Sequence, residues 1–178
     1  MILDYGIKDI GNYAFYECSG LTEITIPATV TNIGYFAFRG CTSLTSIAIL
    51  DGVTSIGKYA FADCYSLTKI TIPESVENIG KYAFQYMGGS NTGLERHSIT
   101  VVYNAHCEMP QTMFHGTIIE TLIITYADGI VPLLSALSAS QVGDIYVPDT
   151  LVNDYKAAEI WSLYTNRIKP LSECEVDY

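Results

Sequence analysis

The block Ile-Gly-x-x-Ala-Phe occurs four times in this chain at a fixed step of 23 residues, over residues 10–15, 33–38, 56–61 and 79–84. Self-similarity at one fixed period marks a stacked repeat architecture. One unit cannot bury its apolar face alone, so each coil is completed by its neighbours. Such an array presents a long surface, so recognition of a partner is the first functional expectation and a reaction only the second.

Aligned on that block, the unit reads Leu-x-x-Ile-x-Ile-Pro-x-x-Val-x-x-Ile-Gly-x-x-Ala-Phe-x-x-Cys-x-x. The frame Leu21, Ile24, Ile26 recurs as Leu44, Ile47, Ile49 and as Leu67, Ile70, Ile72. Isoleucines two apart have the period of a strand with one buried face. Pro27 and Pro73 end the strand, and Val30, Val53 and Val76 begin the return. Gly11, Gly34, Gly57 and Gly80 share one phase, which predicts either positive φ or close backbone approach. The Ala-Phe pair then leads into a short helical or 3₁₀ turn on the opposite side. The expected fold is a solenoid with a parallel β-sheet along one face.

The frame runs past its visible copies. Ile99 and Val101 map by 23 residues onto Leu122 and Ile124, then onto Ile145 and Val147, with Pro148 matching Pro27. The step from Ile70 to Ile99 is 29, which predicts a six-residue insertion near 88–93. Counting backwards lands on Met1 and Leu3, for about seven coils in all. The register thus begins inside a unit. This predicts a fragment of a longer protein, or self-association through an uncapped N-terminal end. The predicted organisation is a solenoid over 1–148 and a capping helix with tail over 149–178. Asp149 is the expected N-cap, Val152, Tyr155, Ala158 and Trp161 share one face, and Pro170 lies beyond the end.

Net charge and composition narrow the function. The formal charge is −10 and no Lys/Arg-rich run exists, which argues against nucleic acid and against anionic membrane surfaces. No apolar run approaches membrane-helix length, so no membrane insertion is expected of this segment. No secretory signal opens it either.

Five cysteines and three histidines are the residues that could carry chemistry. Cys18, Cys41 and Cys64 share one repeat phase that Met87 holds in the next unit. They form a column of thiols whose parallel Cβ vectors suit a small core position better than a disulfide. Cys107 and Cys174 are unmatched. His97, His106 and His115 are nine residues apart and do not match zinc-ligand spacing. No nucleophile motif or phosphate-binding loop is present. No cofactor, no metal and no enzymatic activity are expected.

The residues Leu21-Thr-Glu-Ile-Thr-Ile-Pro27, Val30, Ile33-Gly34, Ala37-Phe38 and Cys41, with their equivalents, resemble the BspA-like, Treponema-type leucine-rich repeat. The likeness is strong over 7–87 and looser over 99–148. The resemblance implies an extracellular or cell-surface bacterial protein, with export and adhesion to host matrix or another cell-surface protein. It leaves two other readings open: a passive spacer in a larger surface protein, or an accessory repeat region of an enzyme whose catalytic part lies elsewhere.

Strand geometry points to the binding surface. Residues between the buried isoleucines face outward: Thr25, Ala48, Thr71, Thr100, Ile123 and Tyr146. Tyr103 and Tyr126 lie three residues beyond that column. Thr71, Thr100, Tyr103, Ile123, Tyr126 and Tyr146 are the expected partner-binding patch, because tyrosine joins apolar area to a polar tip. A second aromatic column, Tyr13, Phe36, Tyr59 and Tyr82, reads as packing on the outside of the coil.

Overall fold

The structure, a computed structural model, describes residues 3–4, 6–89, 97–110, 112–133, 137 and 142–177. Met1, Tyr5 and most of the expected insertion lie outside the described residues. In chain order the strands are Asp9–Ile10 (β1), Glu23–Ile26 (β2), Asn32–Ile33 (β3), Ser46–Ile49 (β4), Ser55–Ile56 (β5), Lys69–Ile72 (β6), Asn78–Ile79 (β7), Ile99–Tyr103 (β8), Ile119–Ile124 (β9), Val142–Val147 (β10) and Ile168–Pro170 (β11).

These strands form two kinds of parallel layer. The Leu-x-x-Ile-x-Ile frame builds the main layer. There β2 pairs with β4, and β6, β8, β9, β10 and β11 pair in that order. The Val-x-x-Ile return builds a narrow ladder of two-residue strands, β1–β3–β5–β7. Between β4 and β6 the main layer is not hydrogen-bonded, and a cleft of about 480 Å³ opens there, lined by Ser46, Ala48, Lys69 and Thr71.

The Ala-Phe block closes each coil through 3₁₀-type turns, with Ala37 N–H donating to Gly34 (3.3 Å) and Cys41 N–H to Phe38 (3.2 Å). Alternate N–H groups turn instead toward the next coil. Phe15, Phe38 and Phe61 donate to Ala37, Ala60 and Ala83 at 2.7, 2.7 and 2.8 Å. The backbone achieves this by entering the left-handed region at Tyr13, Phe36, Tyr59 and Tyr82, with φ between 58 and 62°. It does so again at Glu17, Gly40 and Asp63. That conformation costs an L-residue roughly 1–2 kcal/mol. Hydrogen bonds between coils and ring stacking offset it.

The shared glycine phase has the second of its two expected causes. None of Gly11, Gly34, Gly57 and Gly80 has positive φ, but a Cβ on Gly57 would sit 2.7 Å from the Tyr35 amide nitrogen of the preceding coil. Only a residue without a side chain lets the coils approach so closely.

The core lies between the two layers. Phe15, Phe38, Phe61, Phe84 and Phe114 stack with centroids 4.9, 5.2, 5.6 and 5.5 Å apart. Phe114 reveals a fifth copy of the block written in other residues. Phe84 N–H donates to Met113 (3.0 Å), as Phe61 does to Ala83, and Met113 N–H donates to Pro110.

Register after the fourth copy differs from the sequence expectation. Ile70 pairs with Val101 and Ile72 with Tyr103, a step of 31 rather than 29. The next step is shorter, with Ile99 opposite Ile119 and, past a bulge that adds one residue on the β9 side, Tyr103 opposite Ile124, a step of 21. The insertion is eight residues long. The alternation of Ile99, Val101 and Tyr103 is apolar throughout, so pattern alone could not choose between two registers that differ by one pleat repeat.

The C-terminal part also differs from one continuous helix. Residues 149–151 form a 3₁₀ turn, Val152–Ala157 a short helix (α1), and Trp161–Arg167 a second 3₁₀ segment. Ala158, with ψ of 138°, separates the two. Asp149 is not an N-cap. Its carboxylate accepts from the Ser172 amide at 3.0 Å, and hydrogen bonding from the Ser172 side chain, then from its amide, draws its pKa down. Beyond Arg167 the chain returns as β11, with Ile145, Tyr146 and Val147 opposite Ile168, Lys169 and Pro170. The 23-residue step therefore persists through the helical segment. Trp161 and Tyr155 are buried as expected. The indole N–H donates to the Val131 carbonyl (2.9 Å) and the Tyr155 hydroxyl accepts from the Val131 amide (2.9 Å).

Candidate binding surface

Pairing within the main layer sets the outward side chains in two rows. One runs Glu23, Ser46, then Lys69, Thr100, Thr121, Asp144. The other runs Thr25, Ala48, then Thr71, Val102, Ile123, Tyr146, Lys169. Their opposite neighbours along each strand, the Ile24/Ile26 phase, fill the core. The two faces are thus a fixed apolar one and a variable one.

The expected patch divides on this geometry. Thr71, Thr100 and Tyr146 face outward and are partly exposed. Tyr103 does not. The corrected register places it opposite Ile72, inside the core and fully buried. Its hydroxyl donates to the Cys107 carbonyl at 2.9 Å, and burial raises its pKa strongly. Ile123 does face outward, yet it is fully buried, as is Val102 beside it. Neither residue belongs to the core cluster. Something therefore covers the outward face at β8 and β9. Tyr103 and Ile123 are withdrawn from the exposed patch.

Tyr126 lies at the strand ends, half-buried. Its ring sits 4.3 Å from that of His106, whose Nε2 lies 3.3 Å from a Glu74 carboxylate oxygen. These three, with Asp51, Asn104, Thr125 and Asp128, line a polar cleft of about 330 Å³. The residue-type pattern could not show this cleft, because it joins loops from four successive coils. Lys169 was missed for a similar reason, since its strand appears only once β11 is placed. Its ammonium lies 2.8 Å from Asp144 and 5.7 Å from the centre of the Tyr146 ring. The Asp144 hydrogen bond raises its pKa.

The remaining chemistry-bearing groups take structural positions. Cys41 and Cys64 are buried free thiols that donate to the carbonyls of Phe15 (3.1 Å) and Phe38 (3.3 Å) in the preceding coil. Thr117 does the same to Phe84 at 2.8 Å, in the fifth copy of the block. Burial pushes the Cys41 thiol up to about 11 and that of Cys64 well up. Such thiols are poor nucleophiles. Cys18 is exposed. His97, His106 and His115 are all exposed. Among the described residues no three His, Cys, Asp or Glu side chains converge as metal ligands.

The second aromatic column forms a stacked ladder. Tyr13, Phe36, Tyr59 and Tyr82 have centroids 5.2, 5.0 and 5.0 Å apart. Arg39 lies over Phe36 and Tyr59 while pairing with Asp63 at 2.9 Å. The rings spend their faces on one another, so the column is packing, with Tyr13 as its exposed end.

No helix among the described residues is long and apolar enough to cross a membrane. The BspA type leucine rich repeat region family matches residues 8–128 in six copies. No curated protein matches the chain. Solved structures that share the fold include these two. The pneumococcal vaccine antigen PcpA superposes with a TM-score of 0.68 at 16% identity, covering 96% of this chain and 39% of the antigen. The T. pallidum leucine-rich repeat protein TpLRR superposes with a TM-score of 0.54 at 21% identity, covering 93% of this chain and 81% of that one. The chain thus spans well under half the length of the pneumococcal protein.

Proposed function

The chain belongs to the BspA-type leucine-rich repeat family, and from that premise we infer that it is a non-catalytic protein-recognition module, secreted or displayed on a cell surface, that adheres to host matrix or to another cell's surface protein. The observation that carries this reading is the division of the main sheet into an invariant core face and a variable outward face. Repeat scaffolds bind through such faces, because the core fixes the geometry while the outward rows are free to vary. The likeness to a vaccine antigen supports the surface location.

Thr71, Thr100 and Tyr146 on the sheet, with Tyr126 at its edge, are the residues assigned to contact. The test is surface plasmon resonance of the chain against a panel of purified extracellular-matrix proteins, beside a Thr71→Glu/Thr100→Glu/Tyr146→Ser variant. The expected result is saturable binding by the unaltered chain and its loss in the variant, with the melting temperature retained. Binding to none of the panel supports the spacer reading instead. Binding that survives the triple substitution removes the sheet face as the site.

A further inference from the structure

Val102 and Ile123 face away from the core and are nevertheless buried. The residues after β11 account for this. The segment 171–177 leaves the far end of the sheet, where the Ser172 amide donates to Asp149. At its other end the Asp177 carbonyl accepts from Lys69 Nζ at 2.5 Å, on the first residue of β6. β11 and β6 are four strands apart, roughly 19 Å at ordinary strand spacing. Along the strands Ser172 is level with Asp149 and Lys69 with Asp144, five residues apart, another ~16 Å. Leu171–Glu173 is a 3₁₀ turn and four residues follow it, about 20 Å of chain in all, which even with the reach of the Lys69 side chain leaves no slack for a detour round the sheet. The straight path crosses Tyr146, Ile123 and Val102.

The strap's chemistry matches what lies beneath and beside it. Its sequence is Leu171-Ser-Glu-Cys-Glu-Val-Asp177, with three acids alternating with Cys174 and Val176. Under it is an apolar strip, Val102, Ile123 and the Tyr146 ring. At its two ends stand Lys69 and Lys169. Lys69 holds the Asp177 carbonyl, and the Glu173 charge acts on Lys169.

We propose that the outward face of β6–β11 is a groove for an extended acidic peptide with alternating apolar side chains, and that the chain's own segment 171–177 occupies it. The groove is the centre of the recognition surface described above, so the proposal rests on that reading. The partner's segment takes the strap's place, with acids toward Lys69 and Lys169 and apolar side chains on Val102 and Ile123. The strap sets the threshold. A segment tethered this closely competes at an effective concentration of about 1 mM, so a free peptide of micromolar affinity binds the unaltered chain at least about tenfold more weakly than a chain with the strap released.

The experiment uses the 178-residue chain and a fluorescein-labelled peptide of residues 171–177 carrying Cys174→Ser, read by fluorescence anisotropy. Glu173→Lys/Val176→Lys/Asp177→Lys releases the strap by repulsion from the two lysines. All three substituted residues are exposed, so the core is untouched. The released variant binds the peptide saturably, the unaltered chain binds about tenfold or more weakly, and adding Ile123→Lys abolishes binding. A released variant that ignores the peptide, or two chains that bind it equally, overturns the proposal. A second measurement needs no released strap. In a Cys18→Ser background, excess unlabelled peptide accelerates alkylation of Cys174 by displacing the segment, and an unchanged rate overturns the proposal equally. Either failure leaves the matrix-protein assay above standing, because that assay is scored on the unaltered strap.

Discussion

Replacing Gly57 by alanine tests the argument that coil spacing, and not backbone conformation, dictates the glycine phase. The added methyl would lie 2.7 Å from the Tyr35 nitrogen and 2.8–2.9 Å from the Gly34 carbonyl group. Ordinary contact begins near 3.4 Å, so the two coils must part locally by about 0.7 Å. The Gly57 amide donates to Ile33 at 2.8 Å. Opening by that amount takes the bond to about 3.5 Å, beyond useful length. Losing one or two such bonds costs ~1–3 kcal/mol. The stiffer unfolded chain of an alanine variant offsets about 0.4–1 kcal/mol of this. The net loss is about 1–2 kcal/mol, which lowers the melting temperature by roughly 2–8 °C for a domain of this size. Gly11 supplies the internal control. It holds the same phase of the same motif, but a Cβ there meets nothing within 4 Å. Gly11→Ala is therefore neutral or slightly stabilising, up to about 1 kcal/mol. Thermal melts and urea titrations of the two variants make the comparison. Equal destabilisation of both, or none in Gly57→Ala, refutes the close-approach argument.

Further outcomes follow from individual contacts. Glu17, exposed and at φ 55°, stands at a phase that Gly40 and Gly116 occupy in other coils. Glu17→Gly removes a left-handed cost of roughly 1–2 kcal/mol against a glycine entropy cost of about 0.5–1 kcal/mol, so the urea midpoint rises slightly. Tyr155→Phe leaves the buried Val131 amide without its acceptor and lowers stability by about 1–3 kcal/mol; an unchanged midpoint would place that amide elsewhere. The raised Cys41 pKa gives a pH signature. The unfolded thiol ionises near 9 and the folded one at about 11. The folded state therefore holds its proton longer, and stability present below pH 9 falls as pH climbs toward 11. Cys41→Ala and Cys64→Ala together flatten that slope in chemical denaturation across pH 8–11. Thiol titration with an aromatic disulfide modifies Cys18 at once, and Cys41 and Cys64 only on unfolding.

The solenoid, its period and its core phenylalanines were legible because burial and close approach act identically on every coil. What the sequence hid lay where two apolar phases compete. Ile99, Val101 and Tyr103 are all apolar and two apart, so a shift of two leaves the pattern unchanged, and only pairing shows that Tyr103 stands inside. The fifth Ala-Phe block is hidden because Met113 takes the alanine position and keeps its backbone hydrogen bond, only Phe114 is retained, and Pro110 and Met109 replace its glycine and isoleucine. The strand at Ile168–Pro170 was hidden behind a segment of helical spacing, though Ile168 stands 23 residues after Ile145. The covering of Ile123 has no local signal at all. It depends on a segment far along the chain returning across four strands.

The two hydrogen-bonded layers do not run the same course. The narrow ladder ties together the coils from β1 to β7, and the paired main sheet ties together those from β6 to β11. The five-stranded sheet and the narrow ladder share the coil spanning β6 and β7, while the separate β2–β4 pair lies within the ladder's length. Cooperativity in a linear array passes through nearest-neighbour interfaces, so this coil acts as a splice between two lengths of material. Pulled from its ends, the molecule would separate first on the β4–β6 side of the splice, where the narrow ladder, the turn and side-chain bonds and the core carry the load without main-sheet pairing. The segment beyond would stay folded under a force that had already unravelled the first.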